Sequence, residues 1–251
     1  MLKKRIIPCL DIKDGKTVKG IKFNRLINVG DPIQLAKIYT KENADELVFL
    51  DINATLENRV TFTNLVKKIA KKINIPFTVG GGVSSIENAK LLINSGADKI
   101  SINSSAISNP KLITQIAKEF GSQSVVLAID TNFVNNQWKV FSHGGKRETK
   151  LSTLDWIKQV EDLGAGEILL TSMKHDGTKQ GFSINLLKQV CEIVNLPIIA
   201  SGGAGKMEHF SELFSKTKVT GALAASIFHY NELSIKNLKK YLINKKISIR
   251  K

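Results

Sequence analysis

The sequence predicts an α/β chain folded as a single (β/α)8 TIM barrel, built from two similar half-barrels. Three observations lead there. Eight short apolar runs alternate with amphipathic helical patterns over 251 residues, of which 42% are hydrophobic and 24% charged. Segments of the first half return in the second at a fixed offset. The turn after the first run reads CLDIKDG, unlike the G-x-G-x-x-G that usually opens a doubly wound sheet.

In order, the strands and helices pair off as follows. RIIPCL at 5–10 precedes a helix at 32–42, and ELVFLD at 46–51 precedes one at 61–72. FTV at 77–79 leads to 86–95, and DKISI at 98–102 to 111–120. SVVLAID at 124–130 leads to 153–163, and EILLT at 167–171 to 184–194. PIIAS at 197–201 leads to 207–215, and GALA at 221–224 to the last helix at 235–242. Each strand is a short apolar run and each helix has an apolar stripe at helical spacing. No linker or low-complexity tract interrupts the series, so one domain over 1–251 is expected.

The repeat explains the number eight. IPFTVGGGV at 75–83 reappears as LPIIASGGA at 196–204, an offset of 196 − 75 = 121. ADELVFL at 44–50 returns as AGEILLT at 165–171 at the same offset, and IPCLD, ending at Asp11, answers VLAID, ending at Asp130. Four strand-helix units followed by four similar ones describe a barrel of two halves.

Composition narrows the functional classes. Lys plus Arg number 37 and Asp plus Glu 22, a net charge of +15. Almost all of the excess is lysine, scattered over helical faces (Lys67, Lys68, Lys71, Lys72; Lys236, Lys239, Lys240). Such scatter, with Asn and Ile abundant, reads as A/T-rich coding. It forms no basic stripe, and aromatics at 6% supply no stacking platform, so specific nucleic-acid binding is not expected. A phosphorylated substrate would still gain from the field. Cys9 and Cys191 rule out a disulfide framework, and His143, His175, His209 and His229 have no metal-ligand spacing. Neither metal nor cofactor is expected. The start, MLKKRIIPCLDIKDG, has too short an apolar run for a signal peptide, and no run of eighteen apolar residues spans a membrane. The cytoplasm is the expected location.

Two connections are long: 12–31 and 131–150 hold about twenty residues each, against roughly six in most compact domains. They follow the strands that end in Asp11 and Asp130. In this fold the loops after strands make the catalytic face, so long ones read as lids. NFVNNQWKVF in the second resembles a hairpin. Lys13, Lys16, Lys19 and Lys22 in the first would close positive charge over the mouth.

Asp11 and Asp130 end strands one and five, opposite each other across an eight-stranded ring. One strand-end Asp would read as a turn cap; two at matching positions suit proton transfer on both sides of a substrate. Asp51 and Asp176 lie on the same face, placed for ribose hydroxyls. Gly80, Gly81 and Gly82 leave strand three, and Gly202 and Gly203 leave strand seven, each just before a helix. Backbone N–H groups exposed there can bind phosphate. Asn103 and Ser104 follow strand four, and Ala225 and Ser226 follow strand eight, as second walls of the two sites. Thr171, Ser201 and Gly177, at or beyond strand ends, complete the binding set. A lone glycine turn is weak evidence, since tight turns need glycine anyway. Two in register imply a substrate with a phosphate at each end.

Strand parity exposes a second feature. Arg5, Ile7, Cys9 and Asp11 share one face, so an inward Asp11 sends Arg5 inward roughly 20 Å lower. Lys99 shares a face with Asn103, and Glu167 with Thr171; Glu46 is the repeat mate of Glu167 (167 − 46 = 121). Arg5, Glu46, Lys99 and Glu167 can therefore ring the barrel floor with alternating charge. A plain salt-bridge network is the simplest reading of four charges that sum to zero.

The motifs RIIPCLDIKDG, DELVFLDI, PFTVGGGV, GADKISIN, FGSQSVVLAID, GAGEILLTS, DGTKQG and PIIASGGAGKMEHF carry a resemblance over nearly the full length. The chain resembles the cyclase subunit family of imidazole glycerol phosphate synthase, from histidine biosynthesis. That resemblance implies the same two-half barrel. It also implies an ammonia-dependent cleavage and cyclisation of N'-(phosphoribulosyl)-formimino-aminoimidazole-carboxamide ribotide. Asp11 and Asp130 would be its acid/base pair, Lys19 part of a mobile loop, and the charged ring a gate for ammonia. The ammonia would come from a glutaminase subunit, the two forming a heterodimer. Ser104 stands where the family frequently has threonine, and 215–220 replaces a Gly-Ala-Asp turn. The sister isomerase of the preceding step shares the paired Asp and two phosphate sites, but has no use for a charged floor or a partner. A paralogue feeding ammonia elsewhere would not need Asp11, and a basic nucleic-acid-binding barrel is the remaining alternative.

Overall fold

The computed structural model describes residues 3–21, 24–54 and 62–250, so Lys22 and the expected helix start at Thr61 lie outside the described residues. The first half runs β1 (Arg5–Lys13), β2 (Lys16–Ile21), β3 (Asn24–Gly30), α1 (Pro32–Lys41), β4 (Leu47–Asp51) and α2 (Thr63–Ala70). It continues with β5 (Phe77–Gly80), α3 (Ile86–Asn94), β6 (Lys99–Ile102), α4 (Ser104–Ser108) and α5 (Lys111–Phe120). The second half repeats the plan: β7 (Val125–Val134), β8 (Gln137–Ser142), β9 (Arg147–Ser152), α6 (Thr153–Asp162), β10 (Glu167–Ser172) and α7 (Ile184–Ile193). Then come β11 (Ile198–Ser201), α8 (Met207–Lys216), β12 (Gly221–Ala224), α9 (Ser226–His229) and α10 (Ile235–Asn244).

Eight of these strands pair in parallel in the order β1-β4-β5-β6-β7-β10-β11-β12, and β12 returns to β1, closing the barrel. The strands are apolar on both faces because both are buried. Ile6, Leu10, Leu47, Phe49 and Ile100 face the helices. Ile7, Cys9, Val48, Val126, Leu169, Ile199 and Leu223 fill the interior as a separate cluster. Helix starts follow local chemistry: Asp31 accepts from Gln34 N–H ahead of Pro32, and Ser85, Ser152 and Ser234 cap α3, α6 and α10 likewise.

The two long connections are antiparallel hairpins, β2–β3 on β1 and β8–β9 on β7. Here β1 and β7 run past their expected ends at 10 and 130, because their last residues pair with the hairpins. The short helices α4 and α9 were not expected; at five and four residues they are too brief to show a helical period. They are repeat mates (226 − 104 = 122), and the residues before them, Asn103 and Ala225, share an unusual backbone turn (φ −138, ψ −89 and φ −128, ψ −75).

Candidate active site

The carboxyl ends of the barrel strands open into a cavity of about 830 Å³. Apart from Gly80, it is lined by every residue the sequence singles out for acid/base work or substrate binding. Asp11, Lys19, Asp51, Gly81, Gly82, Asn103 and Ser104 come from the first half; Asp130, Thr171, Asp176, Gly177, Ser201, Gly202, Gly203, Ala225 and Ser226 from the second. Asp11 on β1 and Asp130 on β7 stand four strands apart in either direction round the ring.

Their surroundings differ. Lys19 Nζ reaches back from the first hairpin to Asp11 Oδ2 at 3.0 Å. Burial works against the Lys19 charge, but Asp11 and Asp176 outweigh it and raise its pKa. Asp130 accepts from Asn103 Nδ2 at 3.0 Å. Burial, then the like charges of Asp176 and Asp11, push the Asp130 carboxyl up to about 7, while the Asn103 bond pulls the other way. Burial also raises Asp176, opposed by Lys19. Below them, burial and Asp11 hold the Cys9 thiol well above its ordinary range, which makes it an interior apolar group and a poor nucleophile.

The glycine turns repeat in three dimensions. Gly81 (φ +91) lies against the Asp51 carbonyl, where a Cβ would collide. Gly202 (φ +92) lies against the Ser172 carbonyl, 2.7 Å from where its Cβ would stand. Both spacings keep the 121-residue offset (202 − 81; 172 − 51). Only glycine combines this φ with this approach. Beyond the second turn, Gly205 N–H donates to His209 Nδ1 at 3.1 Å, and burial with Lys206 lowers the His209 pKa, keeping that nitrogen an acceptor. His229 is buried, meets the Tyr39 hydroxyl through Nδ1 at 2.5 Å, and burial lowers its pKa to about 4.

At the opposite end the four charged side chains close a ring. Arg5 bridges Glu46 (2.8 Å) and Glu167 (2.5 Å), and Lys99 bridges the same two carboxylates (3.1 and 2.8 Å). Burial penalises the Arg5 charge, but Glu167 and Glu46 raise its pKa. For Glu46, burial is outweighed by Arg5 and Lys99, and its pKa is lowered. Arg5 also donates to Thr220 Oγ1 at 2.9 Å.

The sequence reading missed the tip of the second hairpin, where His143, Gly144 and Lys146 line the cavity. Its sequence signal is the HGG turn. It also missed the buried pair Lys239 Nζ to Asp45 Oδ1 (2.8 Å), beside Asp45 Oδ2 accepting from Ile6 N–H. Lys239 falls at i+4 from Ile235 on the apolar stripe of α10, a legible cue for a buried partner. Among the described residues no three His, Cys, Asp or Glu side chains gather to hold a metal, and no helix is long and apolar enough to cross a membrane.

Fold and cavity together define a duplicated-half (β/α)8 barrel whose acidic pocket opens at the carboxyl ends of its strands. The chain belongs to the histidine biosynthesis protein family, which matches residues 5–234. It is 57% identical, over the full length of both chains, to the imidazole glycerol phosphate synthase subunit HisF of Cytophaga hutchinsonii. Proteins of the same name from Flavobacterium johnsoniae and Streptococcus mutans are 56% and 53% identical, again over both full lengths.

Proposed function

We propose that this chain is the cyclase subunit of imidazole glycerol phosphate synthase. It uses ammonia to convert N'-(phosphoribulosyl)-formimino-aminoimidazole-carboxamide ribotide into imidazole glycerol phosphate and aminoimidazole carboxamide ribotide. The observation that carries this reading is the pair Asp11 and Asp130, on opposite walls of one cavity and differently held. Ammonia must lose protons as its nitrogen enters the new ring, while the ketone oxygen must gain them to leave as water and the departing amine must gain one as its C–N bond breaks. A carboxyl near 7 is about half protonated at neutral pH, where an ordinary aspartate is almost fully ionised, so Asp130 has a proton to deliver and is the acid. Asp11 is the base, held in place by Lys19 Nζ at 3.0 Å.

The rest of the cavity orients the substrate. Gly81, Gly82, Asn103 and Ser104 seat one phosphate; Gly177, Gly202, Gly203, Ala225 and Ser226 seat the other. Thr171, Ser201, Asp51 and Asp176 hold hydroxyls between them. No cofactor or metal takes part. The relatives are named as subunits of a synthase, which supports a multi-subunit assembly. Here the partner is a glutaminase, bound as a heterodimer on the N-terminal face, and the ring of Arg5, Glu46, Lys99 and Glu167 admits its ammonia while excluding water. The whole chain, 1–251, works as one domain in the cytoplasm. The test is nitrogen source: the purified chain should turn over with an ammonium salt and not with glutamine. Glutamine-supported turnover by the chain alone would contradict the reading.

A further inference from the structure

The cavity has two lysines on its wall, Lys19 and Lys146, and no arginine among its described lining residues. Lys19 is neutralised by Asp11. Lys146 has no ion-pair partner among the described residues. It stands at the tip of the β8–β9 hairpin, where His143, Gly144 and Gly145 take successive positive φ values of 54, 62 and 77°. That tight turn bends the tip towards the barrel mouth. It is pinned there: the His143 N–H donates to Ser104 Oγ at 2.8 Å. Ser104 thereby keeps its own O–H for a ligand. Lys146 follows three residues on and lines the same cavity as Ser84, Asn88, Ser105 and Asn109.

The charge distribution says what fits. Asp11, Asp130 and Asp176 crowd the centre of the cavity and repel an anion. The serine- and asparagine-lined side offers donors and one uncompensated cation. We propose that Lys146 clamps the phosphate monoester seated on Gly82, Asn103 and Ser104, as a substrate-binding residue contributed by one half-barrel to the phosphate site of the other. This rests on the bisphosphate reading above. An ammonium at a phosphate dianion adds a charge-assisted hydrogen bond to a site otherwise made of neutral donors. Because that contact is the same in ground and transition states, it acts on KM and leaves kcat alone.

The experiment compares Lys146→Met, Lys146→Arg and, as a control on the same hairpin, Lys150→Met. Each is assayed with ammonium and the ribulosyl substrate, and each is titrated with inorganic phosphate by 31P line broadening. Lys146→Met should raise KM by about tenfold or more with kcat within about twofold, and weaken phosphate binding in parallel. Lys146→Arg should keep most of the affinity, and Lys150→Met should match wild type. Unchanged KM and phosphate binding in Lys146→Met, or an equal change in Lys150→Met, would overturn the proposal. A wild-type chain inactive with ammonium would instead defeat the bisphosphate cyclase reading, and the phosphate titration would still judge the lysine.

Discussion

Lys19 Nζ sits 3.0 Å from Asp11 Oδ2, while Asp130, on the facing strand, has the neutral amide of Asn103 as its donor. Two carboxyl groups at matching positions of a repeated half-barrel are thus set apart by what each half folds over its mouth. The first hairpin delivers a cation to its own aspartate. The second delivers none to Asp130, and burial and like charge raise that group to about 7. In the proposed mechanism this asymmetry lets one fold unit, used twice, supply an acid and a base.

Raising Asp130 costs stability in a definite pH window. Its folded value is about 7, against roughly 3.9 in the unfolded chain, so between them the folded chain holds more protons. Stability associated with protonated Asp130 is complete below about 4 and is lost as pH rises through about 7. Asp130→Asn removes the ionisation. The variant should melt above wild type at about pH 8, with the gap closing towards about pH 4, each kcal/mol appearing as roughly 2–4 °C. A gap that does not change with pH in thermal melts would refute this.

The floor ring should separate nitrogen sources. Lys99→Ala should lower glutamine-dependent turnover in the complex more than turnover driven by added ammonium. Both measurements use one preparation, which cancels differences in folded fraction. Equal losses would leave the ring as a structural salt-bridge network. Arg5→Ala is the poorer probe, since it leaves Glu46 and Glu167 short of a buried cation, at a cost of about 3–5 kcal/mol.

Lys239→Ala should destabilise the barrel by about 3–5 kcal/mol in urea denaturation, because it strands the buried Asp45 carboxylate. Burial already raises the Asp45 pKa against the pull of the Ile6 N–H and Lys239. The double variant Lys239→Met, Asp45→Asn should recover part of the loss. A double variant no better than the single would refute the stranded-charge explanation.

Gly202→Ala forces a Cβ within 2.7 Å of the Ser172 carbonyl at φ +92. It should cost about 1–3 kcal/mol and raise KM as the turn shifts. Unaltered stability and KM would mean the turn tolerates a side chain.

Much of this was legible in the sequence, for reasons that are local. Strands buried on both faces show as apolar runs, and 121-residue periodicity pairs the glycine turns whose positive φ the structure requires. Arg5 and Glu167 followed from the two-residue alternation of strands. The first hairpin was not legible, since KTVKGIKFNRLINVG mixes charge through its alternation and has no glycine turn at its centre. The helices α4 and α9 are shorter than a helical period can reveal. Lys146 escaped because only a bend of the hairpin tip, pinned by Ser104 some forty residues earlier in the chain (143 − 104 = 39), brings it to the cavity. Lys19 was singled out from its neighbours only by resemblance; nothing in its spacing sets it apart from Lys16.

In the proposed mechanism Asp11 and Asp130 carry the proton transfers of an ammonia-dependent cyclisation. The most direct measurement follows absorbance loss when the ribulosyl substrate meets an excess of ammonium salt near neutral pH, using wild type, Asp11→Asn and Asp130→Asn. Wild type should turn over, and each variant should lose about 10²–10⁴-fold in rate with substrate binding largely kept. Near wild-type rates in both variants would contradict it.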